Sequence, residues 1–232
     1  VVHEPIKDTG IRRTYPNMLS REGARGQEFN GFMPIDVNNK PDHTTILPFT
    51  RLLSSPMDYT SGIFNLKDYR YKSPDDRTID TKHHIPSTIA KELAHYVVIY
   101  APVQMAADLP ENYKGNPAFQ FILDVPTDWQ ETRILNGEIG KYITTVRKDR
   151  DSEDWYLGSI TNGDSRTIEI DMSFLEPGKK YDATIYKDPK DGGWKTKPEE
   201  VIIESMVFNK GDTYNIELPS GGGQAIRFSP NR

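Results

Sequence analysis

Arg166-Thr167-Ile168-Glu169-Ile170-Asp171 and, beyond the turn Pro177-Gly178, Tyr181-Asp182-Ala183-Thr184-Ile185-Tyr186 decide the fold class of the second half of this chain. Both runs are short, β-branched or aromatic in character and bounded by turn residues, which is the pattern of strands. Working outward, Tyr142 to Val146 and Trp155 to Ile160 precede them, and Val201 to Ile203, Thr213 to Leu218 and Gln224 to Phe228 follow. Asn162-Gly163-Asp164, Asp191-Gly192-Gly193, Lys210-Gly211-Asp212 and Gly221-Gly222-Gly223 separate them. Regularly spaced strands with such turns predict an antiparallel β-sandwich or barrel, and no internal sequence repeat accompanies the spacing.

Upstream the texture is that of an α/β region. Ser87 to Tyr100 predicts a helix: Pro86 precedes it, Ser87 serves as N-cap, and Ile89, Leu93, Val97 and Tyr100 share one face. Pro102 ends or kinks it. Pro117 to Leu123 reads as a second helical piece, and Thr44 to Phe49 as one buried strand. The expected boundary is Asn136-Gly137, with an α/β part at 1–136 and an antiparallel β domain at 137–232.

The 232 residues are 35% hydrophobic and 27% charged, an ordinary globular composition. A net charge of −5 argues against a nucleic-acid footprint. The longest apolar stretch, Leu93 to Ala107, is interrupted by His95, Pro102 and Gln104 and is too short to span a bilayer. With no cysteine, disulfides, thiolate metal sites and cysteine nucleophiles are excluded. The opening Val1-Val2-His3-Glu4-Pro5 has no initiator Met and reads as the end of a buried strand that starts upstream, so a fragment of a longer protein is expected.

Chemistry concentrates in the first 32 residues. Glu4 follows an apolar strand end, where an α/β barrel carries its catalytic groups. Arg21-Glu22-Gly23-Ala24-Arg25-Gly26-Gln27-Glu28 places two more carboxylates among glycines that let backbone approach a ligand. Arg25, between the two glutamates, is a cation that holds one of them ionised if it lies close enough. Such a set suits glycoside hydrolysis, which needs a proton donor and a second carboxylate, or a hard divalent cation. The competing reading is a solvated loop paired with Arg12, Arg13, Arg21 and Arg25.

The segments 3–17 (His3-Glu4-Pro5-Ile6-Lys7-Asp8-Thr9-Gly10 and onward) and Glu22-Gly23-Ala24-Arg25-Gly26-Gln27-Glu28 resemble the signature of glycoside hydrolase family 97, bacterial α-glucosidases and α-galactosidases. So do 43–51, 56–64, 100–113, 119–129 and the glycine run before Ala225-Ile226-Arg227, so that the resemblance covers nearly the whole chain. It implies a three-domain enzyme of which this chain holds the last third of a (β/α)8 barrel and a C-terminal β domain, the N-terminal domain and first part of the barrel lying elsewhere. It implies Glu28 as general acid, Glu4 as general base and calcium ligand, Glu22 as calcium ligand with Glu28 also near the metal, and His3 lining the sugar subsite. The glutamate after the histidine marks the inverting, α-glucosidase-like branch, so the expected activity is calcium-assisted release of glucose from starch-derived oligosaccharides. A periplasmic location follows from the resemblance alone. A second base-type glutamate and a further metal ligand belong to parts of the family absent from this chain, and 33–42 is longer than expected, at the substrate rim. The alternatives are an α-galactosidase of the same family and a non-catalytic carbohydrate-binding β half. Isolated, these 232 residues are expected to be inactive.

Other residues have plainer readings. Asp58-Tyr59, after a strand end, reads either as a substrate contact or as a loop aspartate and packing tyrosine, His83-His84 as a solvated loop, His95 as an ordinary surface or satisfied histidine, and Asp108 and Glu111 as capping or turn residues. Trp155, Tyr156 and Trp194 form either a sandwich core or a sugar-stacking platform, the core being the commoner use.

Overall fold

A computed structural model describes residues 10–32, 38–67 and 84–231. His3, Glu4, His83 and the first part of the long 33–42 segment lie outside the described residues.

Eight strands follow one another from residue 129: β1 (Trp129–Glu138), β2 (Tyr142–Asp149), β3 (Trp155–Thr161), β4 (Arg166–Asp171), β5 (Lys180–Lys187), β6 (Ile202–Asn209), β7 (Thr213–Leu218) and β8 (Gly223–Pro230). They make a six-stranded sheet in the order β1-β2-β3-β8-β5-β6 and a two-stranded sheet β4-β7. Every pairing between them is antiparallel. The two sheets enclose one core, in which Val146, Leu157, Ile170, Ile216, Ile226 and Phe228 are buried. β4 shows why its sequence alternates: Ile168 and Ile170 point inward while Thr167, Glu169 and Asp171 are exposed.

The other face of the large sheet is covered by the helix α4 (Ile89–Val98), preceded by α1 (Ile11–Thr14), α2 (Glu28–Phe32) and α3 (His43–Ile46) and followed by α5 (Pro110–Tyr113) and α6 (Phe119–Asp124). Because helix and small sheet sandwich the large one, every residue of β3 is buried, so this strand does not alternate. Two glycines allow the close approach. A Cβ on Gly158 would lie 2.6 Å from the carbonyl of Ala94, and one on Gly223 would lie 2.5 Å from Cα of Lys91.

Several sequence expectations change here. Thr44 to Phe49 is no strand: α3 runs into a 3-10 turn at Leu47–Phe49, with Pro48 in its first positions. Pro48 lacks the N–H that a central strand needs and fits a helical first turn. α4 is capped by Thr88, whose hydroxyl accepts from Lys91 N–H at 3.1 Å, rather than by Ser87. The sheet begins at Trp129, so Asn136-Gly137 lies inside β1, at a register irregularity, and not at a boundary. Before residue 129 the described residues form short helices and loops rather than alternating strands and helices; the expected barrel portion is not seen there, and one parallel bridge joins Arg21 to Met57. His95 is fully buried. Trp155 and Tyr156 are 2% exposed and belong to the core, so they offer no sugar platform. Trp194, 9% exposed, packs beside His84 at 5.7 Å.

Candidate active site

The loop 20–28 is fastened from both sides. Its backbone meets the segment 57–60, with Asp58 N–H donating to the Arg21 carbonyl at 3.1 Å and Gln27 N–H to the Tyr59 carbonyl at 2.8 Å. Arg51, buried, donates to the carbonyls of Glu22 (2.9 Å), Arg21 (2.8 Å), Ser55 (2.9 Å) and Pro56 (3.2 Å). Burial, with Arg21 and Arg12 nearby, lowers its pKa to about 10. A guanidinium spent on four carbonyls is a rivet for the loop rather than a partner for its glutamates. The Arg25 guanidinium lies 4.3 Å from the Phe29 ring centroid, a cation–π contact.

Glu28 opens α2, half-buried, with its N–H donated to Thr60 Oγ1 at 3.1 Å. Thr60 has φ +62°, a strained conformation for a β-branched residue, held where the loop needs an acceptor. Glu22 Oε1 would lie 3.8 Å from a Cβ placed on Gly26, so its carboxylate faces the backbone leading to Glu28. Gly23, at φ +64°, leaves no room for a side chain against Arg21 and Arg51. The structure thus brings Glu22 and Glu28 onto one constrained loop. Among the described residues no group of three or more His, Cys, Asp or Glu could hold a metal, so these two carboxylates do not complete a calcium site by themselves.

Glu92, which drew no functional reading from the sequence, anchors this loop from below. It is fully buried on α4 and accepts from Gln27 Nε2 (2.6 Å), Gly62 N–H (2.9 Å) and Ser87 Oγ (2.5 Å). Burial pushes its carboxyl up, but His95, Ser87 and the Gly62 N–H outweigh it and hold the group below its ordinary value. His95 Nδ1 stands 3.5 Å away, and burial lowers the imidazole pKa. Tyr59 packs edge-on against His95 at 5.2 Å, so it is the packing tyrosine expected. Lys91, also buried, donates to the carbonyls of Pro41 and Thr161, each at 2.9 Å, and burial brings it down to about 7. Asp108 works as expected, accepting from Leu109 N–H at the start of α5 and from the N–H groups of Phe64 and Asn65.

Asp188 completes the buried set, accepting from Thr88 Oγ1 at 3.0 Å and Gly223 N–H at 2.9 Å. Burial raises its pKa from 3.8 to about 7, against the opposing pull of those two donors and Lys91. A carboxyl raised on folding stabilises most below its unfolded pKa and loses that contribution as pH rises through its folded one. The window here is about pH 4 to 7. Asp188→Asn removes the titration, so its stability relative to the parent should improve by more than about 1 kcal/mol between pH 5 and pH 8. Urea unfolding at the two pH values measures this; a difference that does not move with pH contradicts it.

Residues 128–229 match the family described as glycosyl-hydrolase 97 C-terminal, oligomerisation. A solved glycoside hydrolase family 97 enzyme from Pseudoalteromonas sp. strain K8, in complex with acarbose, is 48% identical over 99% of this chain, with a TM-score of 0.89. Residues 128–229 are a glycoside hydrolase family 97 C-terminal domain, and the chain as a whole is similar to family 97 enzymes. A variant of the same Pseudoalteromonas enzyme in complex with panose matches this chain equally well, at 48% identity and a TM-score of 0.89. The retaining alpha-galactosidase of Bacteroides thetaiotaomicron is 35% identical over 98% of the chain. The chain spans about a third of these relatives, 34% of the Pseudoalteromonas enzyme and 33% of the Bacteroides one.

Proposed function

We propose that the intact protein is an inverting glycoside hydrolase that releases glucose from α-linked oligosaccharides, with Glu28 as general acid and Glu4 as general base. The observation that carries the substrate class is the 48% identity, over 99% of the chain, to an enzyme whose structures hold acarbose and panose, against 35% for the relative named an α-galactosidase. The constrained loop supports Glu28 in its role, because an acid must be held in place to protonate a leaving oxygen. Inversion rests on Glu4 alone: an inverting pair stands roughly 6.5–9.5 Å apart so that water fits between base and sugar. His3 lines the sugar subsite in this reading. Glu4, Glu22 and Glu28, with ligands from elsewhere in the protein, hold a Ca2+ ion, whose hard charge suits carboxylate oxygens. The protein works in the periplasm.

The second reading is a retaining α-galactosidase, favoured by the name of the Bacteroides relative. Comparing kcat/KM of the intact protein for 4-nitrophenyl α-glucoside and α-galactoside separates the two. The glucoside is expected to be favoured by at least about tenfold, a difference of about 1.4 kcal/mol in transition-state binding. A preference for the galactoside overturns the first reading.

A further inference from the structure

The segment 58–63 passes between the loop that carries Glu28 and the helix α4, and its backbone is unusual at two places. Thr60 has φ +62° and Gly62 has φ +95°. Gly62 suits its place: glycine adopts positive φ readily, and a Cβ there would lie 2.2 Å from the Tyr96 hydroxyl. Thr60 suits its own place poorly. Among the described residues it is the one non-glycine residue with positive φ, and a β-branched side chain is the kind that this region tolerates least. Strain of this sort persists where the surrounding structure holds a residue to a task, and it gathers at functional sites.

What threonine supplies there, and glycine cannot, is a hydroxyl. Thr60 Oγ1 accepts from Glu28 N–H at 3.1 Å, while its own proton goes to the Tyr59 carbonyl. The helix α2 has five residues, too few to hold together unaided, and its first N–H groups have no partner inside the helix. The neighbours of Glu28 are fixed by other groups. Gln27 is held by the Tyr59 carbonyl and by Glu92. Asn39 holds the Asn30 side chain through its N–H at 2.9 Å and the Gly26 carbonyl through Nδ2 at 3.2 Å. Thr60 takes the N–H of residue 28 itself. Removing the hydroxyl therefore loosens the residue that bears the carboxyl, while the rest of the loop stays fastened.

We propose that Thr60 is a positioning residue for the Glu28 carboxyl: its hydroxyl, held in place by the strained backbone, sets where the acid meets the glycosidic oxygen. This inference rests on Glu28 being the general acid. An acid displaced by about an ångström forfeits up to about 10²-fold in rate, and chiefly for leaving groups that need its proton.

Steady-state kinetics of the intact protein on maltose and on 4-nitrophenyl α-glucoside test this. Thr60→Val keeps the branched shape and the strain but deletes the acceptor. Thr60→Gly deletes the acceptor and relieves the strain. In both, kcat for maltose should fall at least about tenfold with little change in KM, and kcat for the nitrophenyl glucoside by less than about threefold. Thr60→Ser, which keeps the hydroxyl, should retain the parental ratio of the two rates. If either Thr60→Val or Thr60→Gly keeps that ratio, or slows both substrates alike, the hydroxyl does not position the acid. Glu28→Gln, measured alongside, tells two failures apart. Where it loses maltose turnover and the Thr60 variants do not, the acid stands and the positioning falls. Where it keeps maltose turnover, the acid itself falls and the inference falls with it.

Discussion

Glu28→Gln in the intact protein is expected to lower kcat for maltose by about 10²–10⁴-fold, the usual worth of a positioned general acid. Glutamine keeps the shape of the side chain and cannot give up a proton. The loop should hold, since Glu28 is tied by its backbone N–H to Thr60 and its neighbours by Arg51 and Tyr59. The loss should shrink for a substrate whose leaving group departs as a stable anion, such as 4-nitrophenyl α-glucoside. Protonation matters less there. That contrast separates a missing acid from a damaged site, which would slow both substrates alike. Near-parental maltose turnover would remove Glu28 from the role.

Glu92→Gln is expected to lower the unfolding free energy by about 3 kcal/mol, the scale for breaking a buried, fully hydrogen-bonded charge. Glu92 Oε2 accepts from the Gln27 amide and the Gly62 N–H, and Oε1 from the Ser87 hydroxyl, with His95 Nδ1 3.5 Å from Oε1. A neutral amide forfeits the charge that strengthens these bonds, and its nitrogen at the Oε1 position obliges the Ser87 hydroxyl to turn from donor to acceptor. The damage reaches the loop through Gln27, next to Glu28, so kcat should fall more than KM rises. Urea unfolding and steady-state kinetics check the two halves. A stability change under about 1 kcal/mol would mean that the donors find other partners and that Glu92 is not the anchor.

The strands were legible because each has one wet and one dry face, or turn residues at both ends. β4 and β7 are bounded as their sequences predict, at Arg166–Asp171 and Thr213–Leu218. β1 escaped because Trp129–Glu138 is an edge strand with mostly exposed or half-buried residues, including Asn136 and Gly137, and little apolar pattern to read. Thr44 to Phe49 misled for the opposite reason: its β-branched and apolar residues fit a buried segment of either kind, and only tertiary packing chose the helical one.

The candidate site was legible only in part. Glu22 and Glu28 stand out as carboxylates among glycines, and the structure places them on one loop. Lys91, Glu92 and Asp188 gave no signal, because charged residues on a helix or after a strand are normally solvated. Their burial arises from three layers meeting at α4, information that is absent from any local window. Glu4 and His3 carry the mechanistic branch, and their roles rest on the resemblance.

The most direct test of the account follows the anomer released from an α-glucoside with a non-sugar leaving group, such as 4-nitrophenyl α-glucoside, by intact protein, using proton NMR during the first minutes of hydrolysis. With Glu28 as acid and Glu4 as base, water attacks opposite the leaving group and β-glucose appears first. α-Glucose as the first product would show retention, and with it that Glu4 is not the base.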